Sequence, residues 1–384
     1  MWFAIPLALA LIQQTYYVDD DGAGDFLDLP AAVAATAPGD ILLVAPGTYS
    51  PTTISHDLTV LASAKWVRPL VAGGALVITG ASDVTLAGLE LRDLEVTGVT
   101  GRVRVDDCAL GWGSSSTGLP GAVTITDSSI VVITRSALQA PSPEHFWGES
   151  ALRLTDSDVV AVDCSLVGSD GIDDPIDPDP GWPAVRSYGA SSLHLAGTSV
   201  SGGYGGGGIM GGMPDGYAIE EASGALDLVI QGSSIHTVSG NLDGLDLWNG
   251  TVRWSGVTFP TPPWQWPETV PAEPYLLLGG KDQPGAARRI QAYGAAGEVL
   301  LAYFSAAPTS AYLPGVAGAP PLVSPADLFL VRATVLLGQE IPATVSLPLP
   351  ADPTLIGFVV DAQALVLTAA GPFLTNPHQV ALRP

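Results

Sequence analysis

Apolar and small residues recur along the first two thirds of the chain with one spacing, at positions x, x+2, x+5 and x+7. A two-residue step places side chains on one face of a β-strand, and the three-residue step indicates a bend before a second strand. Each copy therefore predicts a strand, a corner and another strand. The copies begin at Val84, Val103, Val131, Val159, Leu193, Leu228 and Val252.

Another short apolar strand precedes several of these copies, as at Ala122–Ile125 and Ala151–Leu154. Three strands per repeat close one turn of a coil, so stacked coils predict a parallel β-helix over residues 15–259. An antiparallel β-sandwich is the alternative, because regular short strands alone also fit it. The corner inside each copy favours the β-helix, since no Asn-Gly or Asp-Gly hairpin turn joins its two strands.

The β-helix makes a prediction about Cys108 and Cys164, which occupy the same position of the repeat two coils apart. Coils stack about 4.8 Å apart, so the two Cα atoms should lie roughly 9.6 Å apart. A disulfide needs less than about 7 Å between them. We therefore expect two buried free thiols.

The first 14 residues form an apolar run with small residues at Ala8 and Ala10, a pattern typical of a secretory signal peptide. The run has no Lys or Arg before it, so an apolar cap on the end of the fold is the alternative. No other segment approaches the ~18 apolar residues of a membrane helix. We expect a secreted or cell-surface protein without a membrane span in the mature chain.

A short helix is predicted ahead of the coils, from Leu29 to about Ala37. Asp28 can cap its first turn, Pro30 is tolerated in that turn, and Gly39 follows its end. This helix would cover the open first coil.

Four short segments around this helix resemble the N-terminal end of right-handed β-helix proteins of the pectin-lyase-like superfamily; they are Gly22–Phe26, Ala32–Val33, Gly39–Asp40 and Pro46–Tyr49. Carbohydrate esterases of that superfamily begin similarly. The resemblance implies a right-handed coil and an extracellular, polysaccharide-directed role. It brings no active site, because the motifs of polygalacturonases, pectate lyases and pectin methylesterases are missing.

Prolines crowd residues 260–274 and preclude a helix or central strand there, so this stretch predicts a stiff linker, or a strap that lies on the end of the β-helix through Trp264 and Trp266. Residues 275–384 alternate short apolar runs with Pro and Gly turns, which predicts a small β-sandwich. Its last part, Leu355–Thr368 and Leu374–Asn376, resembles a C-terminal module of bacterial secreted proteins. Attachment, capping of the β-helix and sorting are all open as roles for it.

The chain is strongly acidic, with 14 Lys and Arg against 38 Asp and Glu and a net charge of −24. A nucleic-acid-binding surface needs clustered cations, so nucleic acid is excluded as a partner. Lysine occurs only at Lys65 and Lys281. Anionic polymers would be repelled, and neutral glycans or divalent cations are easier partners.

Long insertions follow equivalent positions of successive coils, and loops on one face of a solenoid commonly carry function. They bring aromatic residues to one rim, which predicts a carbohydrate-binding platform because aromatic faces stack on sugar rings. The alternative is that the rings fold back and cover the flank of the β-helix. The aromatic residues are Trp112, Phe146, Trp147, Trp182, Tyr204 and Tyr217.

Aspartates crowd one of these insertions, and such a density of oxygen ligands suits Ca²⁺. Their spacing does not match an EF-hand, so a solvated acidic loop is the alternative. The residues are Asp170, Asp173, Asp174, Asp177 and Asp179. Asp19, Asp20, Asp21 and Asp25 form a second candidate that capping of the helix explains equally well.

An outward-facing column is predicted on the strand before each copy, where Thr124, Arg153, Arg186, Glu220 and Asp246 should stack. Arginine there could neutralise a uronate and, with a base, support β-elimination. A ladder of ion pairs is the alternative. Glu144 with Asp174 could form an acid pair for glycoside hydrolysis, and His145 is a further acid or base candidate.

The sequence thus predicts a secreted or cell-surface β-helix protein that binds extracellular polysaccharide through its loop face without turnover. A polysaccharide lyase or glycoside hydrolase acting on the same face is the first alternative. A purely structural protein that assembles with itself or with other cell-surface proteins is the second.

Overall fold

Strands make up nearly all regular structure in the computed structural model of this protein. The predicted linker and most of the predicted signal peptide lie outside the described residues. The described residues are 13–64, 66–81, 83–111, 121–140, 149–173, 179–208, 211–236, 244–255, 257, 275–280, 287–305, 317–318, 328–336, 343–348, 359–369, 371–375 and 378–381.

The N-terminal part is a parallel β-helix with three faces, here called sheets A, B and C. Consecutive strands of sheet A pair in parallel, each with the strand one coil away. This excludes the antiparallel sandwich for these residues. Sheet A consists of Thr15–Val18, Asp40–Val44, Leu58–Ala62, Asp83–Ala87, Arg102–Asp106, Ile130–Thr134, Asp158–Val162, Ala190–Ala196, Ala225–Gln231 and Thr251–Ser255.

Sheets B and C are joined through the strand Glu90–Thr97, whose first half pairs with sheet B and second half with sheet C. Leu70–Thr79, Thr48–Tyr49 and Thr53–Ile54 continue these faces toward the N-terminus. Sheet B contains Ala109–Leu110, Ala137–Gln139, Ser165–Val167, Ser199–Ser201 and Ser234–His236. Sheet C contains Gly121–Thr126, Ser150–Thr155, Val185–Tyr188, Ile219–Glu221 and Leu245–Asp246.

The repeat positions read from the sequence point into the coil. Position x+2 forms a buried column on sheet A, and positions x and x+7 lie beside it in the same core. The predicted strand–corner–strand units are therefore confirmed, except at Phe259, which lies outside the described residues. The column at x+2 consists of Leu86, Val105, Ile133, Ala161, Leu195 and Ile230.

The corner between sheets A and B needs a left-handed backbone conformation at position x+4. Glycine occupies this position in several coils, and Asp107, Arg135 and Asp163 adopt it with φ near +50°. Non-glycine residues tolerate this region at a cost, so the corners store strain that the stacked coils must offset.

Position x+5, directly after that residue, carries a hydrogen-bond ladder along the corner. The N–H of Cys108 donates to Ser136 Oγ at 3.0 Å, and the N–H of Ser136 donates to the Cys164 thiol. Cys164 N–H then donates to Thr198 Oγ1 at 3.3 Å, and Thr198 N–H to Ser233 Oγ at 3.0 Å. The corner amides, which the sheets leave unpaired, are thus satisfied by the next coil.

Both cysteines are buried free thiols, as predicted. Each sulfur also donates to the carbonyl two residues earlier, at Asp106 and Val162. Burial raises the pKa of the Cys164 thiol to about 12.

The predicted helix is confirmed as Leu29–Ala35, with Leu29, Ala32 and Val33 buried against the first coils. Asp28 Oδ1 accepts the N–H groups of Leu29 and Ser50, both at 2.8 Å, so it ties the cap to the first coil. The helix ends earlier than the expected Ala37. Thr36 is already extended, and Pro38 disfavours helical backbone at the residue before it.

The C-terminal part contains two small sheets that share one core, which agrees with the predicted β-sandwich. The first sheet is antiparallel and contains Tyr275–Gly280, Ala287–Tyr293 and Ala343–Pro348. Leu276 and Ile290 from it pack in one cluster with Leu300 and Val366 of the second. The second sheet contains Val299–Ser305, Ala317–Gly318, Leu328–Val335, Val359–Thr368, Gly371–Leu374 and His378–Ala381.

Within the described part of the chain, no helix combines the length and the apolarity needed to cross a bilayer.

Thr198→Val tests the corner ladder. The substitution keeps the shape of the side chain but removes the acceptor of the Cys164 N–H and the donor to Ala196 O. We expect a loss of about 1–3 kcal/mol in the free energy of unfolding, measured by urea denaturation. Thr198→Ser keeps the hydroxyl and should lose much less; equal losses in both variants would contradict the ladder.

The thiols provide a second test of the register. Neither Cys108 nor Cys164 should react with Ellman's reagent in the folded protein, because both are buried and the Cys164 pKa is about 12. Both should react after denaturation without a reducing agent. A denatured chain with no reactive thiol would reveal a disulfide and overturn the register.

Candidate functional site

The loops that leave sheet B continue the stacking of the coils beyond the strands. Gly171 N–H donates to Tyr204 O at 2.6 Å, and Gly203 N–H donates to Trp182 O at 2.9 Å. The backbones approach so closely that a Cβ on Gly203 would lie 1.8 Å from Ser169 O. Only glycine fits there. The glycine-rich composition of these loops therefore serves coil-to-coil contact, and their predicted neighbouring arrangement is confirmed for these residues.

A cavity of about 320 Å³ opens where two of these loops return to sheet C. Its walls combine two aromatic rings, two carboxyl groups and a rigid backbone rich in Pro and Gly. The lining residues are Pro180, Gly181, Trp182, Pro183, Pro214, Asp215, Gly216, Tyr217 and Glu220.

The predicted outward column runs along sheet C beside this cavity. Parallel pairing places Thr124 beside Arg153, and Arg153 beside Arg186. Glu220 follows Arg186, and Asp246 follows Glu220. The column is confirmed in its full predicted order.

The two arginines of the column are both engaged. Arg186 Nη2 lies 3.1 Å from Glu220 Oε1, in an ion pair that is partly exposed to solvent. The guanidinium of Arg153 lies over the ring of Tyr188, 4.4 Å from its centroid. Arg186 lies 5.5 Å from the centroid of the Trp182 ring and 5.7 Å from that of Tyr188. Cation–π contacts of this kind fix the orientation of the rings.

The indole N–H of Trp182 is buried and has no acceptor among the described residues. A buried donor without a partner costs free energy unless a ligand or water satisfies it. Trp182 therefore lines the cavity with other atoms of its ring, while its N–H stays buried.

Sequence reasoning missed Tyr188, although one signal was available. Tyr188 follows Arg186 by two residues on the same strand, so both side chains stand on the outer face of sheet C.

Glu149 was also missed, because no motif surrounds it. Register on sheet C places it one coil before Trp182, since Leu152 pairs with Val185. Its backbone exchanges hydrogen bonds with the Ser169 hydroxyl at 2.9 Å, and its Oε2 is buried without a hydrogen-bond partner in the part of the chain that the structure describes. Burial, together with the negative charge of Asp93, raises the pKa of Glu149 to about 7. Glu149 therefore holds its proton to a higher pH than an ordinary carboxyl group does, and it lies one coil before Trp182 without lining the cavity.

The predicted aromatic rim is reproduced in part. Trp182 and Tyr217 lie together at the cavity, whereas Tyr204 is 59% exposed on the neighbouring loop and does not line it. The remaining aromatic residues of the rim, Trp112, Phe146 and Trp147, lie outside the described residues. The acid–base candidates Glu144 and His145 lie outside them too.

The predicted calcium ligands have local roles where they are described. Asp170 accepts the N–H of Tyr204 at 2.8 Å, and Asp173 accepts the N–H of Gly207 at 2.6 Å. The backbone carbonyl of Asp179 accepts a hydrogen bond from the N–H of Gly206. Asp174 and Asp177 lie outside the described residues. The calcium site in this loop stays a prediction.

The second acidic candidate brings Asp19, Asp20 and Asp21 within 4.8 Å of one another. Asp19 accepts the N–H of Asp21 at 3.0 Å, and Asp20 accepts the N–H of Thr48 at 2.9 Å. These hydrogen bonds attach the turn at residues 19–21 to the first coil.

Comparison with known proteins adds little to this picture. Neither a protein-family model nor a curated protein matches the chain. Solved structures with some likeness include the enzymatically active domain of tailspike protein 2 of bacteriophage CBA120, with 9% identity and a TM-score of 0.23 over 90% of this chain and 68% of that one. The full-length tailspike protein 2 from Escherichia coli O157:H7 bacteriophage CAB120 shows 10% identity and a TM-score of 0.25, over 89% and 51%.

Glu149→Gln tests the raised pKa. The ordinary pKa is 4.5 and the folded value about 7, so between these pH values the folded state keeps a proton that the unfolded state releases. Ionisation of Glu149 thus lowers stability as the pH rises through this window. We therefore expect the melting temperature of the variant, relative to that of the native protein, to be higher at pH 8 than at pH 4.5. An equal difference at both pH values would contradict the shift.

Proposed function

We propose that this protein is a secreted or cell-surface β-helix that binds extracellular polysaccharide at the cavity lined by Trp182, Tyr217 and Glu220. The observation that carries the proposal is the pairing of two aromatic rings with carboxyl groups in one preformed cavity on the loop face. Ligand sites are usually concave, apolar and supplied with a few fixed polar groups. The parallel coils and the segments Gly22–Phe26 and Pro46–Tyr49 support a place in the pectin-lyase-like superfamily.

The chemistry of the walls suits a sugar ring. The apolar C–H face of a pyranose can stack on Trp182 or Tyr217, which buries apolar surface on both partners. Hydroxyl groups at the ring edge can donate hydrogen bonds to the carboxylate of Glu220. Both kinds of contact are already held in place, Trp182 by Arg186 and Glu220 by the ion pair with Arg186.

Glycoside hydrolysis is the second candidate, and the carboxyl groups near the cavity favour it. Hydrolysis needs one protonated carboxyl to donate to the leaving oxygen and one ionised carboxyl to act as base or nucleophile. Glu149, with a pKa of about 7, could supply the first, and Asp215 or Glu220 the second. A lyase would use Arg153 or Arg186 to neutralise a uronate, although both already make the contacts described above.

Trp182→Ala tests the binding site. We expect at least roughly a tenfold loss of affinity, because the variant loses the aromatic stacking face. Binding is measured on a glycan array and then by calorimetry, each with and without calcium. Trp182→Phe keeps a ring, and Trp66→Ala removes an exposed tryptophan outside the cavity and serves as the control.

Turnover separates the two candidates. Each bound glycan is incubated with the native protein and assayed for new reducing ends and for the absorbance of unsaturated uronates. Binding without either product supports the non-catalytic reading, whereas product that disappears in Glu149→Gln supports hydrolysis. Unchanged binding in Trp182→Ala would refute the assignment of the site.

A further inference from the structure

Trp248 has one of the most exposed tryptophan side chains of the described residues, at 79%. It follows the last strand of sheet C, Leu245–Asp246, and lies outside the lining of the cavity. A large apolar ring left in water is costly, so an exposed tryptophan whose neighbouring backbone is packed against the fold marks an interaction site better than a scattered surface leucine does.

The ring is exposed, yet it is held in place. Its indole N–H donates to the Asp246 carboxylate. The next residue, Asn249, donates its N–H to Glu221 Oε1 at 3.0 Å and its side-chain amide to Gly224 O at 3.2 Å. A Cβ on Gly250 would lie 2.3 Å from Leu226 O, so the chain is packed tightly against the previous coil. Trp248 is therefore a preorganised surface, and preorganisation lowers the entropic cost of binding.

Its position relates it to the cavity. Asp246, which orients the ring, pairs in register with Glu220 of the cavity wall. Trp182 lies three residues before Val185, the first residue of its strand in sheet C. Val185 is in register with Leu245, two coils further on, and Trp248 lies three residues after Leu245. Since the residues next to both tryptophans lie outside the strands, a rise of about 3.3 Å per residue and about 4.8 Å per coil gives only an upper limit of about 22 Å between the two Cα atoms.

The strip between the two tryptophans is polar and slightly acidic. It holds the Arg186–Glu220 ion pair, which is neutral as a unit, and the carboxylate of Asp246. These oxygens can accept hydrogen bonds from hydroxyl groups, whereas a uronate or sulfate would meet like charge on a chain of net charge −24.

We infer that Trp248 is a second stacking subsite of the polysaccharide site, and that the site takes a neutral glycan of several sugar units reaching from Trp182 to Trp248. This inference rests on the proposed function. It adds the direction of the bound chain across sheet C, a requirement for length, and the charge class of the glycan.

The experiment measures affinity against chain length. The probes are oligosaccharides of two to eight units prepared from neutral polysaccharides, namely dextran, mannan and neutral bacterial O-antigens, with oligogalacturonates as the anionic series. Calorimetry compares the native protein with Trp248→Ala, Trp248→Phe and Trp182→Ala. Trp66→Ala is the matched control, because it removes a tryptophan that is 88% exposed elsewhere on the β-helix.

We expect the longest neutral probes to bind the native protein more tightly than the two-unit probes. Trp248→Ala should weaken the long probes by about tenfold and leave the two-unit probes unchanged. Trp248→Phe should keep most of the affinity, Trp182→Ala should weaken every length, and Trp66→Ala should match the native protein.

Two results overturn the inference while the proposed function stands. In the first, Trp248→Ala matches the native protein at every length although Trp182→Ala loses binding. In the second, oligogalacturonates bind as tightly as neutral probes of equal length. If no probe binds the native protein, or if Trp182→Ala has no effect on those that do, the proposed function fails and this inference fails with it.

Discussion

The rest of this molecule depends on in-register hydrogen bonding between successive coils. Each strand donates to and accepts from the strand one coil away, so equivalent residues are forced into columns about 4.8 Å apart. A column tolerates only residues that can stand next to their own equivalents. This constraint selects aliphatic residues inside the coil, hydroxyl or thiol groups at the corner, and ion pairs or cation–π partners outside it.

The same constraint extends to the loops and gives the candidate site its rigidity. The loops after sheet B continue the backbone ladder through positions such as Gly203 and Gly216, where a side chain would collide with the neighbouring coil. The cavity is therefore bounded by backbone that can hardly move. Trp182, Arg186 and Glu220 stand on or next to paired strands, and each restrains another. Such a surface suits a ligand that is itself stiff and repetitive.

Much of the fold could be predicted from the sequence, because residues that stack in one column recur at the same position of every repeat. The spacing that places Val131, Ile133 and Leu138 inside the coil recurs in every copy, and the Arg153–Arg186–Glu220 column follows from it directly. The site followed less completely. Trp182 and Tyr217 could be assigned to the loop face, but the cation–π contacts that orient Trp182 depend on side-chain conformations that spacing does not encode.

Other site residues gave no pattern to read. Glu149 owes its raised pKa to burial and to the charge of Asp93, and Trp248 owes its fixed orientation to Asp246 and to backbone contacts of Asn249. Interactions between non-repeating segments carry no period, so they become visible only when the coils are assembled. The corner ladder lies between these cases. The sequence showed that Cys108 and Cys164 share one position of the repeat, but it did not predict the hydrogen bonds made there.

Because the corner ladder contains free thiols and no disulfide, the fold does not depend on the redox state of its surroundings. Cys108 and Cys164 serve as rungs in the same way as Ser136 and Thr198, through weak hydrogen bonds of the reduced sulfur. No oxidant is required to complete this structure, and no reductant would dismantle it. The β-helix can therefore keep the same covalent form in reducing and in oxidising surroundings, since both thiols are buried out of reach of glutathione.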